Sequence, residues 1–279
     1  MTVKTLKSID ISSFTIISTG VATLISILVA LPIFITMGAL VPNSLATIAL
    51  IVPTIIFGTI IVCIFTYFSI GYLYNILAKK FGFIKLDIEE DYIKKISPKE
   101  TALITACIAI IMILVIYFAF SLIIPVILST MISILMYASQ AIIATQLYQI
   151  MLIISNPLFI AIGILGTVII TSVFTLLATY VYNILADSDR GIKVNLSQED
   201  KFTQLESLDP INFSIAIAAI CLILNIIVGI IMIISGTPIF NALASILSSF
   251  VSGFIGALLV AVFYNFLAPK IGKLKVELE

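Results

Sequence analysis

Three long runs of apolar residues, Ile11 to Ala78, Thr101 to Ala186 and Ile211 to Ala268, carry no formal charge. Each is several times the roughly 20 residues one bilayer crossing needs. The first and third fit two helices each. The second is longer and has room for three, but its centre is interrupted by Gln140, Gln146, Gln149 and Asn156, with Tyr137 and Tyr148 among them. We read two spans there, joined by a non-crossing insert from about 129 to 155 that lies in the interface or re-enters. The run from Ile11 to about Leu40 is too long for a signal-peptide core and lacks a small-residue cleavage site, so it is read as a retained first helix, kinked at Pro32.

After each run the period changes. Ile84, Leu86 and Ile88 alternate with Lys85, Asp87 and Glu89; Ile192, Val194 and Leu196 with Lys193 and Asn195; Leu274, Val276 and Leu278 with Lys275 and Glu277. Period two with β-branched residues predicts short, half-buried strands, each opened by a glycine, Gly82, Gly191 or Gly272. They pair with one another or with the polar leads ahead of the helices, as a small cap.

Charge decides the sidedness. All basic residues fall in four segments, those around Lys4, from Lys79 to Lys99, from Arg190 to Lys201, and from Lys270 to Lys275, and the acidic residues share them. Basic residues flanking spans mark the cytoplasmic side. All four segments are therefore expected there, with six crossings between them and both termini cytoplasmic. The composition agrees: 279 residues, 62% hydrophobic, 10% charged and net charge zero, with a mean hydropathy of +1.30. A soluble domain carries roughly 25% charged residues. The expected location is the cell membrane, and zero net charge gives no case for a nucleic-acid partner.

The sequence repeats. YNILAKKFGFIKLDI from Tyr74, YNILADSDRGIKVNL from Tyr182 and YNFLAPKIGKLKVEL from Tyr264 align, as do the openings KSIDISSF from Lys7, KKISPKET from Lys94 and ESLDPINF from Glu206. We expect three parallel helix-hairpin units, residues 1–90, 91–200 and 201–279, related by an axis near the membrane normal. Asp10, Ser97 and Asp209 precede the apolar runs, and Pro98 and Pro210 follow two of them, as N-caps with proline in the first turn. In the Tyr74–Asn75, Tyr182–Asn183 and Tyr264–Asn265 pairs, tyrosine suits the interface belt and asparagine can cap or bridge backbone.

Each return helix carries small residues every fourth position. One such ridge holds Gly163, Thr167, Thr171 and Thr175, another Ser249, Gly253 and Ala257. Small residues at this spacing let helices approach closely in lipid. The competing reading is a pore lined by threonine hydroxyls.

The unit resembles a widespread prokaryotic two-helix membrane domain of unknown function. The likeness rests on Ile9 with Asp10, on Leu208 with Asp209 and Pro210, on the three Tyr-Asn pairs, and on the strands from Ile84, Ile192 and Leu274. Triplication, the insert near Gln140, and one glycine where the family often has two are departures. The resemblance implies topology, not chemistry.

Many mechanisms are disfavoured. With no histidine, the Ser-His pair and the histidine-ligated zinc site are both missing. Cys63, Cys107 and Cys221 lie far apart in apolar runs, so neither a disulfide framework nor a metal site is readable. The spans hold no aspartates for an intramembrane dyad and no ionisable group for ion coupling. No glycine-rich phosphate loop appears. No cofactor or metal is expected. The reading is a non-enzymatic membrane scaffold or interaction protein, all-α apart from short cytoplasmic strands. Its partners are the bilayer and proteins at the cytoplasmic face or within a membrane complex. The alternative is a passive pore or carrier for neutral or lipid-like solutes.

Overall fold

A computed structural model describes residues 2–40, 45–89, 91–137, 139–154, 156–187 and 191–279. The elements run β1 (Thr2–Ile9), α1 (Ile11–Leu40), α2 (Leu45–Phe81), β2 (Ile84–Glu89), β3 (Tyr92–Ile96), α3 (Pro98–Tyr137), α4 (Ala141–Ile154), α5 (Pro157–Leu185), β4 (Ile192–Glu199), β5 (Phe202–Leu208), α6 (Pro210–Ile234), α7 (Ile239–Ile271) and β6 (Leu274–Leu278). Among the described residues six helices, all but α4, are long and apolar enough to cross a membrane. Large apolar side chains such as Phe57, Phe118 and Leu247 are about two-thirds exposed on their flanks. That is unfavourable against water and natural against lipid. The helices are those of a polytopic membrane protein.

The strands go beyond the three short ones expected. The leads ahead of α1, α3 and α6 are themselves strands, and all six close into an antiparallel barrel in the order β1-β2-β3-β4-β5-β6. Closure comes from β6 pairing with β1, Ile9 opposite Val276 and Leu6 opposite Leu278. A closed barrel leaves no strand edge unpaired. The apolar residues of the trailing strands, predicted by period two, lie opposite apolar residues of the leads: Leu86 opposite Ile96, Val194 opposite Leu208, and Leu274 opposite Leu205.

Each lead strand carries one extra residue. The register slips between Leu6 and Ser8 in β1, between Ile93 and Lys95 in β3, and between Leu205 and Ser207 in β5. The bulged residues are Lys7, Lys94 and Glu206. A bulge shifts the following side chains by one position, so the apolar residues of the leads stand three apart: Leu6 and Ile9, Ile93 and Ile96, Leu205 and Leu208.

The chain divides into two compact units, one of residues 1–101 and 176–279, the other of residues 102–175. In the first, α1 packs on α2 and on α7, α6 packs on α7, and the barrel sits on the helix ends. Its core includes Ile17, Val21, Tyr264 and Ala268 packed under Leu205, Leu208 and Leu274. A matching cluster joins Tyr182, Ala186 and Ala216 to Ile93, Ile96 and Ile192. The second unit holds most of α3, all of α4 and the first part of α5. There α3 runs on through Ser129 to Tyr137, so the separate short helix of the expected insert is only Ala141–Ile154. At 40 residues α3 is about 60 Å long, twice the ~30 Å apolar core of a bilayer.

Candidate functional site

The residues that recur in the sequence meet where helix ends join the barrel. Tyr74, Tyr182 and Tyr264 are only 4%, 3% and 6% exposed. This departs from the interface-belt reading, because each ring is enclosed and each phenol is consumed. Tyr74 Oη donates to the Leu6 carbonyl at 2.6 Å and Tyr264 Oη to the Leu205 carbonyl at 2.5 Å. Tyr182 Oη donates to the Ile93 carbonyl. Each acceptor is the residue just before the lead-strand bulge. Two of the phenols also accept from the first amide of the trailing strand: Ile192 N to Tyr182 Oη and Leu274 N to Tyr264 Oη, both 3.2 Å.

The following asparagines bind the last residue of each lead. Asn75 Oδ1 accepts from Ile9 N at 2.8 Å while Asn75 Nδ2 donates to Ile9 O at 2.8 Å. Asn183 makes the same two bonds to Ile96, both 2.9 Å, and Asn265 to Leu208, at 2.9 and 2.7 Å. A side-chain amide paired with both polar groups of one residue acts as one more strand rung. It satisfies backbone groups that would otherwise be buried without partners.

Below each pair a small residue lets the helix end approach the strands: Ala78, Ala186 and Ala268, at 2% exposure or less. The turn glycines solve two different problems. Gly82 and Gly272 hold φ of 98° and 113°, a region L side chains avoid. Gly191 instead passes so close to the Ile93 carbonyl that a Cβ would stand 2.8 Å from its oxygen.

The caps divide similarly. Asp209 Oδ1 accepts from the amides of Ile211 and Asn212 at 3.1 and 2.9 Å, and Asp10 Oδ2 from Ser13 N at 2.8 Å. Ser97 spends its hydroxyl elsewhere, accepting from Lys85 N of the adjoining strand β2 at 3.0 Å. Polar strand residues are bound to neighbouring strands: Ser8 Oγ donates to Glu277 at 2.7 Å, and Ser197 Oγ to Glu206 at 2.5 Å. Lys273 pairs with Glu206 at 2.5 Å and Lys275 with Glu199 at 2.7 Å. These lysines, hydrogen-bonded to the carboxylates, hold Glu206 and Glu199 below the usual glutamate range, and Glu199 in turn raises Lys275.

The small-residue ridges lie away from this junction. Gly253 of α7 faces α6, where a Cβ would stand 3.0 Å from Cys221 Sγ and 3.5 Å from Ala218 Cα. Ser249 Oγ donates to Ile246 O at 2.7 Å and lies 3.4 Å from Cys221 O, and Ala257 is buried. On α5, a Cβ at Gly163 would meet nothing within 4 Å. Thr167 Oγ1 donates back to Gly163 O at 2.8 Å, and Thr171 and Thr175 are half-buried. No group of three or more metal-ligating side chains occurs among the described residues.

The trailing strands pair with the leads, one of the two arrangements the sequence allows. The bulge hides the alternation of the leads themselves, and their shared three-residue apolar spacing is the signal that marks them as strands. No protein-family model matches the chain, and no match is found among curated proteins or solved structures.

Proposed function

We propose that this protein is an integral membrane scaffold, built as three tandem helix-hairpin units whose strands form one cytoplasmic barrel, with both termini on that side. What supports this reading is the use made of the Tyr-Asn pairs. Each spends its phenol and amide on fastening a lead strand to a helix end, and Tyr182 and Tyr264 hold a trailing strand as well. Residues arranged this way hold a platform in place. The platform's outer positions, among them Lys85, Glu89, Lys193 and Asn195, are exposed and polar and suit a protein partner. The likeness to the two-helix prokaryotic domain belongs to the same reading, with the barrel as the product of combining three copies in one chain.

The alternative, a passive pore or carrier for neutral or lipid-like solutes, draws on the open space beside Gly163 and the threonines that follow it. Reconstitution separates the two. A scaffold gives no flux of neutral solutes above empty liposomes. Reproducible flux, altered by Thr171→Val without loss of stability, establishes the pore instead. Topology is tested in a chain lacking Cys63, Cys107 and Cys221. Single cysteines at Lys4, Lys94, Lys193 and Lys273 should all resist labelling from outside. Labelling at Lys193 but not Lys94 means an odd number of crossings between them and defeats the cytoplasmic barrel.

A further inference from the structure

Beneath the barrel, α1, α2 and α7 line a half-open groove of about 220 Å³. Ile17, Val21 and Ile25 of α1 and Val260 of α7 form its walls, and Leu205 and Leu274 its roof. Along α1 these positions lie about 9 to 21 Å beyond Ile11, within the half of the span next to the barrel. We propose that this groove holds one acyl chain of a bilayer phospholipid.

The argument proceeds by chemistry. A void of this size forfeits dispersion contacts along its whole lining. Filling it with water would take about seven molecules at ~30 Å³ each, every one needing two to four polar partners. The lining offers few. Tyr264 Oη is already bonded to Leu205 O and Leu274 N, which leaves the hydroxyls of Ser18 and Tyr67. An alkyl chain asks for no partner and is the medium around these helices. The roof also indicates what is recognised. Lys273 and Lys275, on either side of Leu274, are paired with Glu206 and Glu199. Those cations are engaged, so the groove selects a chain and not a headgroup charge. The proposal rests on the membrane-spanning character of α1 and α7 and is independent of the scaffold reading.

The test uses the full chain in vesicles containing phosphatidylcholine or phosphatidylglycerol with a diazirine midway along one acyl chain. Bulk lipid is exchanged for mild detergent before photolysis, and adducts are mapped by peptide mass spectrometry. Adducts are expected on residues 17–25 and 260–274, alike for both headgroups, and at least fivefold denser than on the outward-facing side chains of Leu247 and Val251. Ala22→Phe and Val260→Phe fill the groove and should lower them at least fivefold with the melting temperature retained. Should either filled variant unfold, Ile25→Ala, which enlarges the groove, supplies the decision: adducts maintained or increased support the site, and adducts lost overturn it. Equal density at Leu247 and Val251, adducts with phosphatidylglycerol alone, filled variants that fold and label as wild type, or a dimer in native mass spectra that Ala22→Phe abolishes would each overturn the acyl-chain assignment.

Discussion

The helices α6 and α7 and the helices α3 and α5 carry the same signals and use them differently. At the barrel end they agree bond for bond: Tyr182 and Tyr264 each bridge a lead carbonyl and a trailing amide, and Asn183 and Asn265 each pair with one lead residue. Farther along they part. Gly253 lies against Cys221, and a Cβ at Gly229 would stand 2.7 Å from Ile246. Gly163 and Gly166 face open space, and among the described residues α3 and α5 are not packed side by side. A latch closes over a few residues and depends only on the barrel. A ridge acquires meaning only from the helix opposite it, and the link between helices decides what lies opposite. Four residues, Ser235–Pro238, join α6 to α7, while α4 intervenes between α3 and α5.

The largest effects should fall on the shared part, on both sides of the comparison. Val194→Asp removes a buried side chain worth ~1.5–3 kcal/mol, Val276→Asp a half-buried one worth less, and each adds a charge to the apolar face of the barrel. Thermal unfolding in detergent should show a large loss for both, with Glu277→Ala near wild type. Similar effects of Val276→Asp and Glu277→Ala would mean that β6 has no buried face.

Next come Asn183→Ala and Asn265→Ala. Each strands one backbone N–H and one C=O, at ~1–3 kcal/mol per orphaned group. The two variants should lose comparable stability, since the bonds replaced have the same lengths within 0.2 Å. A neutral result at Asn183 alone would extend the contrast between the hairpins into the barrel itself.

The six apolar helices, the trailing strands and the importance of the Tyr-Asn pairs were legible in the sequence because each signal is local. Period two around Val276 and the charge-free runs need no knowledge of what lies opposite. The closed barrel was hidden because Lys7, Lys94 and Glu206 bulge out of register and interrupt the alternation of the leads. The buried state of the tyrosines was hidden for a different reason. A tyrosine at a span end fits an interface belt equally well until the acceptors at Leu6, Ile93 and Leu205 are placed beside it. Ser97 stands where Asp10 and Asp209 cap, and nothing local tells that its hydroxyl serves Lys85 instead.

The ridges give the sharpest contrast at moderate cost. Gly253→Leu drives a side chain into Cys221 and the Ala218 backbone, an overpacking worth ~1–3 kcal/mol. Gly163→Leu enters open space and should stay within ~0.5 kcal/mol of wild type. Paired melting curves decide it. Equal losses would show that Gly163 meets a partner helix in the membrane, from this chain or from another copy.

The smallest effect expected is one of pH, confined to the strands around β6. Glu206 is held below the usual glutamate range chiefly by the hydrogen bond from Lys273 and then by that from Ser197, and Glu199 chiefly by Lys275. A carboxylate whose folded value is lowered adds stability that is fully present above its unfolded value. That contribution declines as pH falls below the ordinary 4.5 and is gone only below the lowered folded value. Lys275 runs the other way. Its folded value is raised, so its contribution holds below the ordinary lysine value of 10.5 and is lost as pH rises through the raised one. Both pairs are solvent-exposed enough for salt to weaken them, so the change should be modest and smaller still at high ionic strength. Amide-exchange protection, corrected for intrinsic rates, should fall at β6 and the end of β4 between neutral and acid pH. Protection at Ile93 and Ile192 should change less, since that seam is fastened by the Tyr182 phenol. In Glu206→Gln the Lys273 side chain loses its anionic partner, and the part of the acid response at β5 and β6 due to this pair should vanish. An acid response unchanged in Glu206→Gln and in Glu199→Gln would show that the two ion pairs do not tie β6 to its neighbours.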